Sequence, residues 1–390
     1  MNIRKSTSSI LPGVLFLTMI LLSCNNEGEV REEVQESTPT IKQTTFGQMP
    51  DGRSITQYTL ANANDLAVKI INYGGIITSI AAPDKEGNME DIVLGFESLA
   101  PYLDEHPYFG AMIGRYGNRI AKGKFELEGE TYNLVTNNMG NHLHGGEKGF
   151  DKVVWEAEVV EDTIPVLRLS YLSPHMEEGY PGNLEVTIDC SLNNADELKL
   201  TYRATTDRPT IVNLTNHSYF NLAGGGRAPI LDHQLMLNAD RFLPVDSTLI
   251  PTGELRTVEG TPFDFREPTR IGLRIEADNR QLQYGGGYDH CWVINGEPGR
   301  LRLAARVHEP ESGRVLELET TEPGLQFYSG NFLDGSIVGR DSVTYDYRHG
   351  LCLEPEHFPD SPNRPDFPSV VLQPGEKYET VTVYRFLVEE

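Results

Sequence analysis

The sequence predicts an all-β fold, a large sandwich of antiparallel β-sheets. Three observations support this prediction: apolar residues recur at every second position, turn-forming residues separate these runs, and no long helical stripe competes with them. The chain has 37 glycines and 24 prolines among its 390 residues, enough to supply turns between many short strands. Many short strands joined by turns are typical of large sandwiches and barrels.

The clearest strand pair lies in residues 184–204. Leu184, Val186 and Ile188 alternate with polar residues, and the alternation resumes at Leu198 after an Asn-Asn-Ala-Asp turn. Successive side chains point to opposite faces of a strand, so this pattern predicts a hairpin with one buried face. Similar short runs predict further strands, at residues 66–72, 124–134, 167–172, 301–307, 315–319 and 380–387.

The N-terminus is expected to be a secretion signal rather than part of the fold. Arg4 and Lys5 precede a mostly apolar run, residues 10–22, which is too short to span a bilayer. The run leads into Leu-Leu-Ser-Cys, a tetrad that resembles a bacterial lipobox. The resemblance implies that residues 1–23 are removed and that Cys24 is lipidated. An ordinary signal peptide with a chance cysteine is the alternative.

Residues 24–45 are predicted to be a flexible tether, because this acidic stretch has few apolar residues to bury. Residues 46–390 are then a single β-sandwich domain, large but within the range of all-β folds. We expect an exported protein, lipid-anchored to the bacterial cell envelope on the periplasmic side or at the outer membrane. Its membrane contact is then the N-terminal anchor alone. The absence of heptads and of an exposed apolar stripe favours a monomer.

The charge and the cysteines exclude several classes of function. The formal net charge is −24, and without residues 1–23 the chain has 31 basic against 57 acidic side chains, a net charge of −26. This excludes nucleic acid as an expected partner.

Besides Cys24, the three cysteines at positions 190, 291 and 352 show no C-x-x-C spacing, so buried free thiols are expected and at most one pair could form a disulfide. So acidic a chain could hold a structural Ca²⁺ ion, although it shows no EF-hand-like spacing.

Five groups of residues interrupt the strand pattern with polar and aromatic side chains suited to acid–base work on a hydroxylated ligand. They are residues 114–120, residues 141–146, residues 215–222, residues 287–290, and residues 326–331 taken with 352–355. Asn118 and Arg119 could donate hydrogen bonds to sugar hydroxyls. Glu354 lies between Leu353 and Pro355, and a carboxyl in such an apolar setting is expected to have a raised pKa.

Each of these residues also has a plain structural interpretation. Taken singly, His144, His217 and Asp289 are more often hydrogen-bonded core groups than catalysts. Arg119 could equally pair with one of the many carboxylates. The sequence His142-Leu143-His144 could supply half of a metal site, since residues two apart on a strand point the same way.

The motifs decide between these interpretations when they are taken together. In order, G-R-Y-G-N-R-I-A-K-G, N-H-L-H-G-G, T-N-H-S-Y-F-N-L-A-G, G-Y-D-H, Q-F-Y-S-G-N-F and C-L-E-P-E resemble the aldose 1-epimerase (galactose mutarotase) family. The resemblance extends from about Gly47 to the C-terminus and implies an antiparallel β-supersandwich. It implies His217 as general acid and Glu354 as general base. The implied sugar contacts are Asn118, Arg119, His144, Tyr219, Asp289 and Gln326. Tyr116 and Gly117 depart mildly from the family pattern.

The implied reaction interconverts the α and β anomers of a free hexose such as glucose or galactose, and it requires no metal and no organic cofactor. Glu354 takes the C1 hydroxyl proton while a cationic His217 donates to the ring oxygen. Three alternatives remain open: a non-catalytic glycan-binding lipoprotein, a sugar-phosphate 1-epimerase of the same superfold, and a glycosidase that uses Glu354 with Asp289. A phosphate substrate would call for more basic residues than Arg115, Arg119 and Lys122 in these motifs.

Overall fold

The segments with alternating apolar and polar residues form antiparallel β-strands, which recur throughout the described part of the chain. The computed structural model describes residues 38–390, so the predicted signal, Cys24 and most of the predicted tether lie outside the described residues. Within residues 38–390 no helix has both the length and the apolar character needed to cross a bilayer.

Short strands succeed one another along the described residues. The first ten are β1 (Thr40–Gln48), β2 (Ser54–Ala61), β3 (Ala67–Ile71), β4 (Ile77–Pro83), β5 (Met89–Asp91), β6 (Met112–Ile113), β7 (Arg119–Ile120), β8 (Lys124–Leu127), β9 (Glu130–Asn133) and β10 (His142–Leu143). The next ten are β11 (Glu156–Val160), β12 (Val166–Ser173), β13 (Leu184–Leu192), β14 (Glu197–Thr206), β15 (Thr210–Ile211), β16 (Thr215–Asn216), β17 (Tyr219–Phe220), β18 (Gln234–Leu237), β19 (Arg241–Phe242) and β20 (Arg256–Thr257). The last are β21 (Thr269–Arg270), β22 (Asp289–Val293), β23 (Arg302–His308), β24 (Arg314–Thr320), β25 (Gly324–Tyr328), β26 (Ile337–Val338), β27 (Thr344–Tyr345), β28 (Leu351–Glu356), β29 (Val371–Leu372) and β30 (Tyr378–Val388).

Helical structure is confined to short connections. The described residues contain the α-helices α1 (Ala100–Leu103) and α2 (Arg280–Gly285). Single 3₁₀ turns lie at Ala121–Gly123, Phe150–Lys152, Glu177–Gly179, Ile230–Asp232, Ile271–Leu273, Arg340–Ser342 and Ser361–Asn363. The all-β prediction is therefore confirmed.

Three sheets of more than two strands form the body of the molecule. A nine-stranded sheet has the order β11-β12-β13-β14-β30-β24-β23-β18-β21, a six-stranded sheet the order β17-β28-β25-β22-β19-β20, and a five-stranded sheet the order β1-β2-β3-β4-β5. The largest buried apolar cluster contains residues from all three sheets. Burial of this apolar surface is the main force that holds the sheets together.

The predicted hairpins are present with the expected pairing. In β13 and β14, Leu184 pairs with Thr206 and Leu192 with Leu198, which confirms the pair predicted from the alternation. Residues 124–134 form the β8–β9 hairpin, whose turn residues Glu128 and Gly129 both have positive φ values, 53° and 83°. Two consecutive positive φ values suit the right-handed twist of a two-residue hairpin.

The folded domain begins earlier than residue 46. Strand β1 starts at Thr40, where Thr40 pairs with Ala61 and Thr45 with Thr56. Residues 40–45 therefore belong to the five-stranded sheet, although they lie in the range predicted as tether. Low apolar content led to that prediction, but an edge strand is held largely by main-chain hydrogen bonds, which composition does not reveal.

The cysteines follow the prediction. Cys190, Cys291 and Cys352 are buried free thiols. Cys190 and Cys352 lie within strands β13 and β28, and Cys291 lies within β22. The fold thus needs no disulfide among the described residues to hold its strands in register.

Candidate active site

A cavity of about 570 Å³ opens beside the six-stranded sheet. Asp289 begins β22, Gln326 lies in β25, Glu354 lies in β28, and His217 lies two residues before β17. These four strands are direct neighbours in the order β17-β28-β25-β22. Residues that are remote in sequence therefore project into one cavity because their strands are adjacent.

The remaining predicted residues reach the cavity from a second pair of short strands. Strands β7 and β10 pair with Leu143 opposite Arg119. This pairing brings Asn118, Arg119 and His144 to the same wall, where Asn118 and His144 both adopt left-handed conformations, with φ values of 60° and 51°. All eight residues predicted for catalysis and sugar contact line this cavity: Asn118, Arg119, His144, His217, Tyr219, Asp289, Gln326 and Glu354.

Several lining residues escaped the sequence analysis. They include Glu105, His106, Tyr108, Asn137, Asn138, Lys152 and Asp334. Asn137 and Asn138 lie just before the N-H-L-H motif, so proximity in sequence could have pointed to them. The others come from segments without a recognisable pattern.

His217 and Glu354 form the closest acid–base pair in the cavity. The distance from His217 Nε2 to Glu354 Oε2 is 3.6 Å, and the two residues are only 5% and 2% exposed. Tyr219 stacks on the imidazole with ring centres 5.1 Å apart, and the Sγ atom of Cys352 lies 3.5 Å from His217 Nδ1. A separation of 3.6 Å is too long for a hydrogen bond, so both atoms remain free to face a substrate.

Burial shifts the pKa values of this pair in opposite directions. Burial and then the neighbouring Asp289 carboxylate raise the pKa of Glu354 well above its ordinary value, while Arg119 opposes the shift. Burial lowers the pKa of His217 to about 3. Burial therefore favours the neutral ring of His217 in the ligand-free site, whereas the predicted mechanism calls for a cationic ring, because the buried ring loses the hydration that would stabilise its charge.

These shifts define how many protons the pair holds. They favour a pair that holds one proton, carried by Glu354 in the ligand-free site. Moving that proton to His217 gives a carboxylate and an imidazolium ion with the same total count. One proton shared by two titrating groups is the supply that acid–base chemistry on a single substrate needs.

His144 is fixed as a hydrogen-bond donor toward the cavity. Its Nδ1 atom accepts a hydrogen bond from the backbone N–H of Asn118 at 3.1 Å. Burial, followed by the charges of His217 and Arg119, lowers the pKa of His144 well below its ordinary value, so the ring is neutral. A neutral imidazole that accepts at Nδ1 carries its hydrogen on Nε2, which is then free to donate to a sugar oxygen.

The same tautomer bears on whether a metal ion could bind. Ligand atoms of His144, His217 and Glu354 all lie within 4.8 Å of one another, which is close enough for a shared ion. However, the Nδ1 lone pair of His144 is already used and its Nε2 carries a hydrogen, so this ring has no lone pair to offer. The donor set therefore fits a sugar better than a cation.

His142 is not available for the metal half-site with His144 that the sequence left open as an alternative. His142 Nδ1 lies 2.8 Å from the carbonyl oxygen of Val135, and its Nε2 lies 2.6 Å from the hydroxyl of Tyr180. Both ring nitrogens of His142 are thus occupied within the protein. The two histidines differ because His144 has a positive φ, which breaks the strand alternation on which the pairing was based.

Arg119, Asp289 and Gln326 form a connected polar wall. Arg119 Nη2 lies 3.8 Å from Asp289 Oδ2, its Nε donates to Asn138 Oδ1 at 3.2 Å, and Gln326 Nε2 donates to Asp289 Oδ1 at 2.6 Å. The Oε1 atom of Gln326 is buried and has no hydrogen-bond partner in the described part of the chain. Such an atom suits a hydroxyl donor from a sugar.

The basic residues give little support for a phosphate ligand. Arg115 is buried away from the cavity, where its Nη1 donates to the carbonyl oxygens of Pro181 at 2.8 Å and Gly182 at 3.0 Å. Lys152 lines the cavity, but its Nζ donates to the carbonyl oxygen of Glu147 at 2.8 Å. Four acidic side chains line the same cavity: Glu105, Asp289, Asp334 and Glu354.

Residues 56–385 match the family model for aldose 1-epimerase. The chain belongs to the aldose 1-epimerase family. It is 46% identical over 349 residues to the galactose mutarotase of Bos taurus, an alignment that covers 90% of this chain and 99% of that protein. It is 39% identical over 342 residues to the aldose 1-epimerase of Escherichia coli (strain K12), which covers 87% of this chain and 97% of that protein.

Solved structures of the aldose 1-epimerase family have the same fold. The galactose 1-epimerase from Lactobacillus acidophilus superposes with a TM-score of 0.80 at 28% identity, covering 91% of this chain and 100% of that one. An aldose epimerase homologue from C. elegans superposes with a TM-score of 0.75 at 27% identity, covering 90% and 100%. The predicted family, the predicted supersandwich fold and the predicted isomerase class are confirmed.

Proposed function

We propose that this aldose 1-epimerase interconverts the α and β anomers of a free aldohexose, with Glu354 as general base and His217 as general acid. The observation that carries the proposal is the buried His217–Glu354 pair, whose Nε2 and Oε2 atoms lie 3.6 Å apart and whose opposite pKa shifts favour one shared proton. Mutarotation needs only that one proton leave the C1 hydroxyl and one reach the ring oxygen, so this pair suffices.

The reaction begins when the sugar enters and the shared proton lies on His217. The Glu354 carboxylate removes the proton from the C1 hydroxyl, His217 Nε2 protonates the ring oxygen, and the bond between C1 and the ring oxygen breaks. The open aldehyde turns about its C1–C2 bond and presents its other face. His217 then takes back the ring-oxygen proton, and Glu354 returns its proton to the new C1 hydroxyl. Each positioned acid or base contributes roughly 10²–10⁴-fold.

The remaining lining residues would hold the sugar in this geometry. The guanidinium of Arg119 and the Nε2–H of His144 would donate to sugar oxygens and stabilise negative charge that develops there. Asp289 and the free Oε1 of Gln326 would accept from ring hydroxyls. Tyr219 would form an apolar wall beside His217. Asn118 would add a sugar contact through the second N–H of its side-chain amide.

Galactose and glucose are the proposed substrates, since relatives of the chain are named for galactose and for aldoses generally. Polarimetry of freshly dissolved α-D-galactose and α-D-glucose tests this directly. We expect the purified protein to speed equilibration above the spontaneous rate for at least one of them. If neither free sugar responds and the corresponding sugar phosphates do, the phosphate alternative replaces this proposal.

We also propose that the protein is exported and anchored through a lipid on Cys24, as a monomer. The support is the Leu-Leu-Ser-Cys tetrad after an apolar run, followed by an acidic stretch. Metabolic labelling with an alkyne fatty acid should modify the wild-type chain but not a Cys24→Ala variant. Labelling of both chains, or of neither, would contradict the anchor.

A further inference from the structure

Glu356 is a second buried carboxyl on the catalytic strand. It follows Glu354 by two residues in β28, so both side chains project from the same face, and Glu356 is 0% exposed. Its Oε1 accepts a hydrogen bond from Asn118 Nδ2 at 2.9 Å. Its Oε2 has no hydrogen-bond partner in the described part of the chain. None of the ion pairs found within residues 38–390 includes Glu356, so no cation lies in direct contact with its carboxyl group.

Asn118 connects this carboxyl to the sugar-binding wall. Its backbone N–H donates to His144 Nδ1 at 3.1 Å, and its side-chain Oδ1 accepts from the backbone N–H of Arg119 at 2.9 Å. Asn118 adopts a left-handed φ of 60°, a conformation that asparagine tolerates better than most residues. The hydrogen bond to Glu356 fixes the side-chain amide of this residue, while the backbone carbonyl of Asn118 accepts from the backbone N–H of His144 at 3.1 Å. Loss of the acceptor would free the Asn118 side chain and would loosen the segment whose backbone N–H orients the ring of His144.

The surroundings of Glu356 favour its uncharged form. Burial and then the charge of Glu354 raise the pKa of Glu356 well above its ordinary value; the Asn118 hydrogen bond opposes this shift. The charge of Glu322 raises the pKa of Glu356 further, and the charge of Arg119 lowers it. Glu322 itself lies 2.6 Å from His357 Nδ1, so it is already paired. Ionising two neighbouring buried carboxyls together carries a large free-energy cost, because two negative charges repel each other where water cannot screen them. Of the two carboxyls, only Glu354 lines the cavity.

We propose that Glu356 is a positioning residue for the epimerase reaction. As an uncharged carboxyl it holds the Asn118 amide and, through Asn118, keeps His144 as a donor toward the sugar, while Glu354 alone carries the charge that turnover requires. The inference rests on the proposed acid–base function. It gives a role to a residue that touches neither the substrate nor the reacting atoms.

The test compares two substitutions of similar bulk. Glu356→Gln keeps an uncharged side chain with a carbonyl acceptor for Asn118, whereas Glu356→Met keeps the volume and removes the acceptor. We expect Glu356→Gln to retain kcat/KM within about threefold and to leave the pH profile in place. We expect Glu356→Met to lose about tenfold or more in kcat/KM, because a small misplacement of a positioned group has a large effect on rate. Asn118→Ala should show a similar loss of kcat/KM. The double variant that combines Glu356→Met with Asn118→Ala should lose no more kcat/KM than the worse of the two single variants.

Two outcomes would overturn the inference. If Glu356→Met is as active as Glu356→Gln, the acceptor has no positioning role. If Glu356→Gln moves the alkaline limb of the profile to lower pH, Glu356 is ionised in the working enzyme. Thermal melts of each variant show whether it is folded, so that a loss of activity is not confused with misfolding. Infrared spectroscopy adds a check that requires only the wild type and Glu356→Gln to fold.

The infrared difference between wild type and Glu356→Gln in D₂O should show the C=O band of an uncharged carboxylic acid at neutral pH. A carboxylate band there would contradict the inference whether or not the protein is active. An inactive wild type, in contrast, would count against the proposed function. The two failures can therefore be told apart.

Discussion

The Nε2 atom of His217 lies 3.6 Å from the Oε2 atom of Glu354, inside a cavity where both residues are almost wholly buried. The two residues meet because β17 and β28 are adjacent strands, with Tyr219 directly opposite Cys352. One proton shared across this short distance serves both halves of an anomerisation. The polar wall around the pair sets the pH range over which that proton is held.

The pH dependence should follow the pair rather than a single residue. Activity requires one proton on the pair, so kcat/KM should fall on the alkaline side when that proton is lost, at a pH set by the raised pKa of Glu354. On the acid side it should fall only when a second proton binds, near the His217 pKa of about 3. Polarimetry at a series of pH values checks this after the spontaneous rate is subtracted. An acid limb at 6.5, the ordinary histidine pKa, would contradict it.

Asp289→Asn should move the alkaline limb to lower pH. The Asp289 carboxylate raises the pKa of Glu354, so its replacement by a neutral amide lowers that pKa and lets the pair lose its proton earlier. The same measurement on Asp341→Asn, a surface carboxylate that pairs with Arg227, serves as the control and should leave the limb unchanged. An unchanged limb in Asp289→Asn would show that Asp289 does not act on Glu354 through its charge.

Removal of divalent metals should not reduce the rate. His144 uses Nδ1 as an acceptor and carries its hydrogen on Nε2, so it has no free lone pair with which to complete a site with His217 and Glu354. Dialysis against EDTA, followed by polarimetry with and without added Zn²⁺, checks this prediction. Activity that is lost on dialysis and restored by the metal would require a different tautomer of His144.

Arg115→Lys should destabilise the fold. The buried guanidinium donates to the carbonyl oxygens of Pro181, Gly182 and Ser173, a set that a lysine ammonium cannot reproduce. We expect the free energy of unfolding to fall by about 3 kcal/mol, as for other buried charges that lose partners. Urea unfolding measures this, with Arg300→Lys on the surface as the matched control. An equal stability for both variants would contradict the structural role.

The sequence was sufficient to predict an all-β fold of antiparallel strands, because alternation depends only on local residue order. Strands β13 and β14 have the predicted pairing, and the motifs identified eight candidate residues that share one cavity. The start of the domain was placed too late because β1 is held by main-chain pairing, which leaves little trace in composition.

The electrostatic state of the site could not be predicted from the sequence. The predicted mechanism calls for a cationic histidine beside a negative charge, but burial lowers the pKa of His217 and favours the neutral ring in the ligand-free site. The link from Glu356 through Asn118 to His144 also depends on a tertiary contact between residues remote in sequence. Glu356 was not singled out by the sequence analysis.

The central claim, that Glu354 and His217 act as one proton-transfer unit, is tested most directly by polarimetry on Glu354→Gln, His217→Asn and the double variant. Each single substitution should lower kcat by roughly 10²–10⁴-fold in a folded protein, and the double variant should lose little more than the worse single one. Glu311→Gln, a substitution of the same chemistry at an exposed residue, should keep the wild-type rate. Near wild-type activity in either catalytic variant, or fully multiplicative losses in the double variant, would contradict the account.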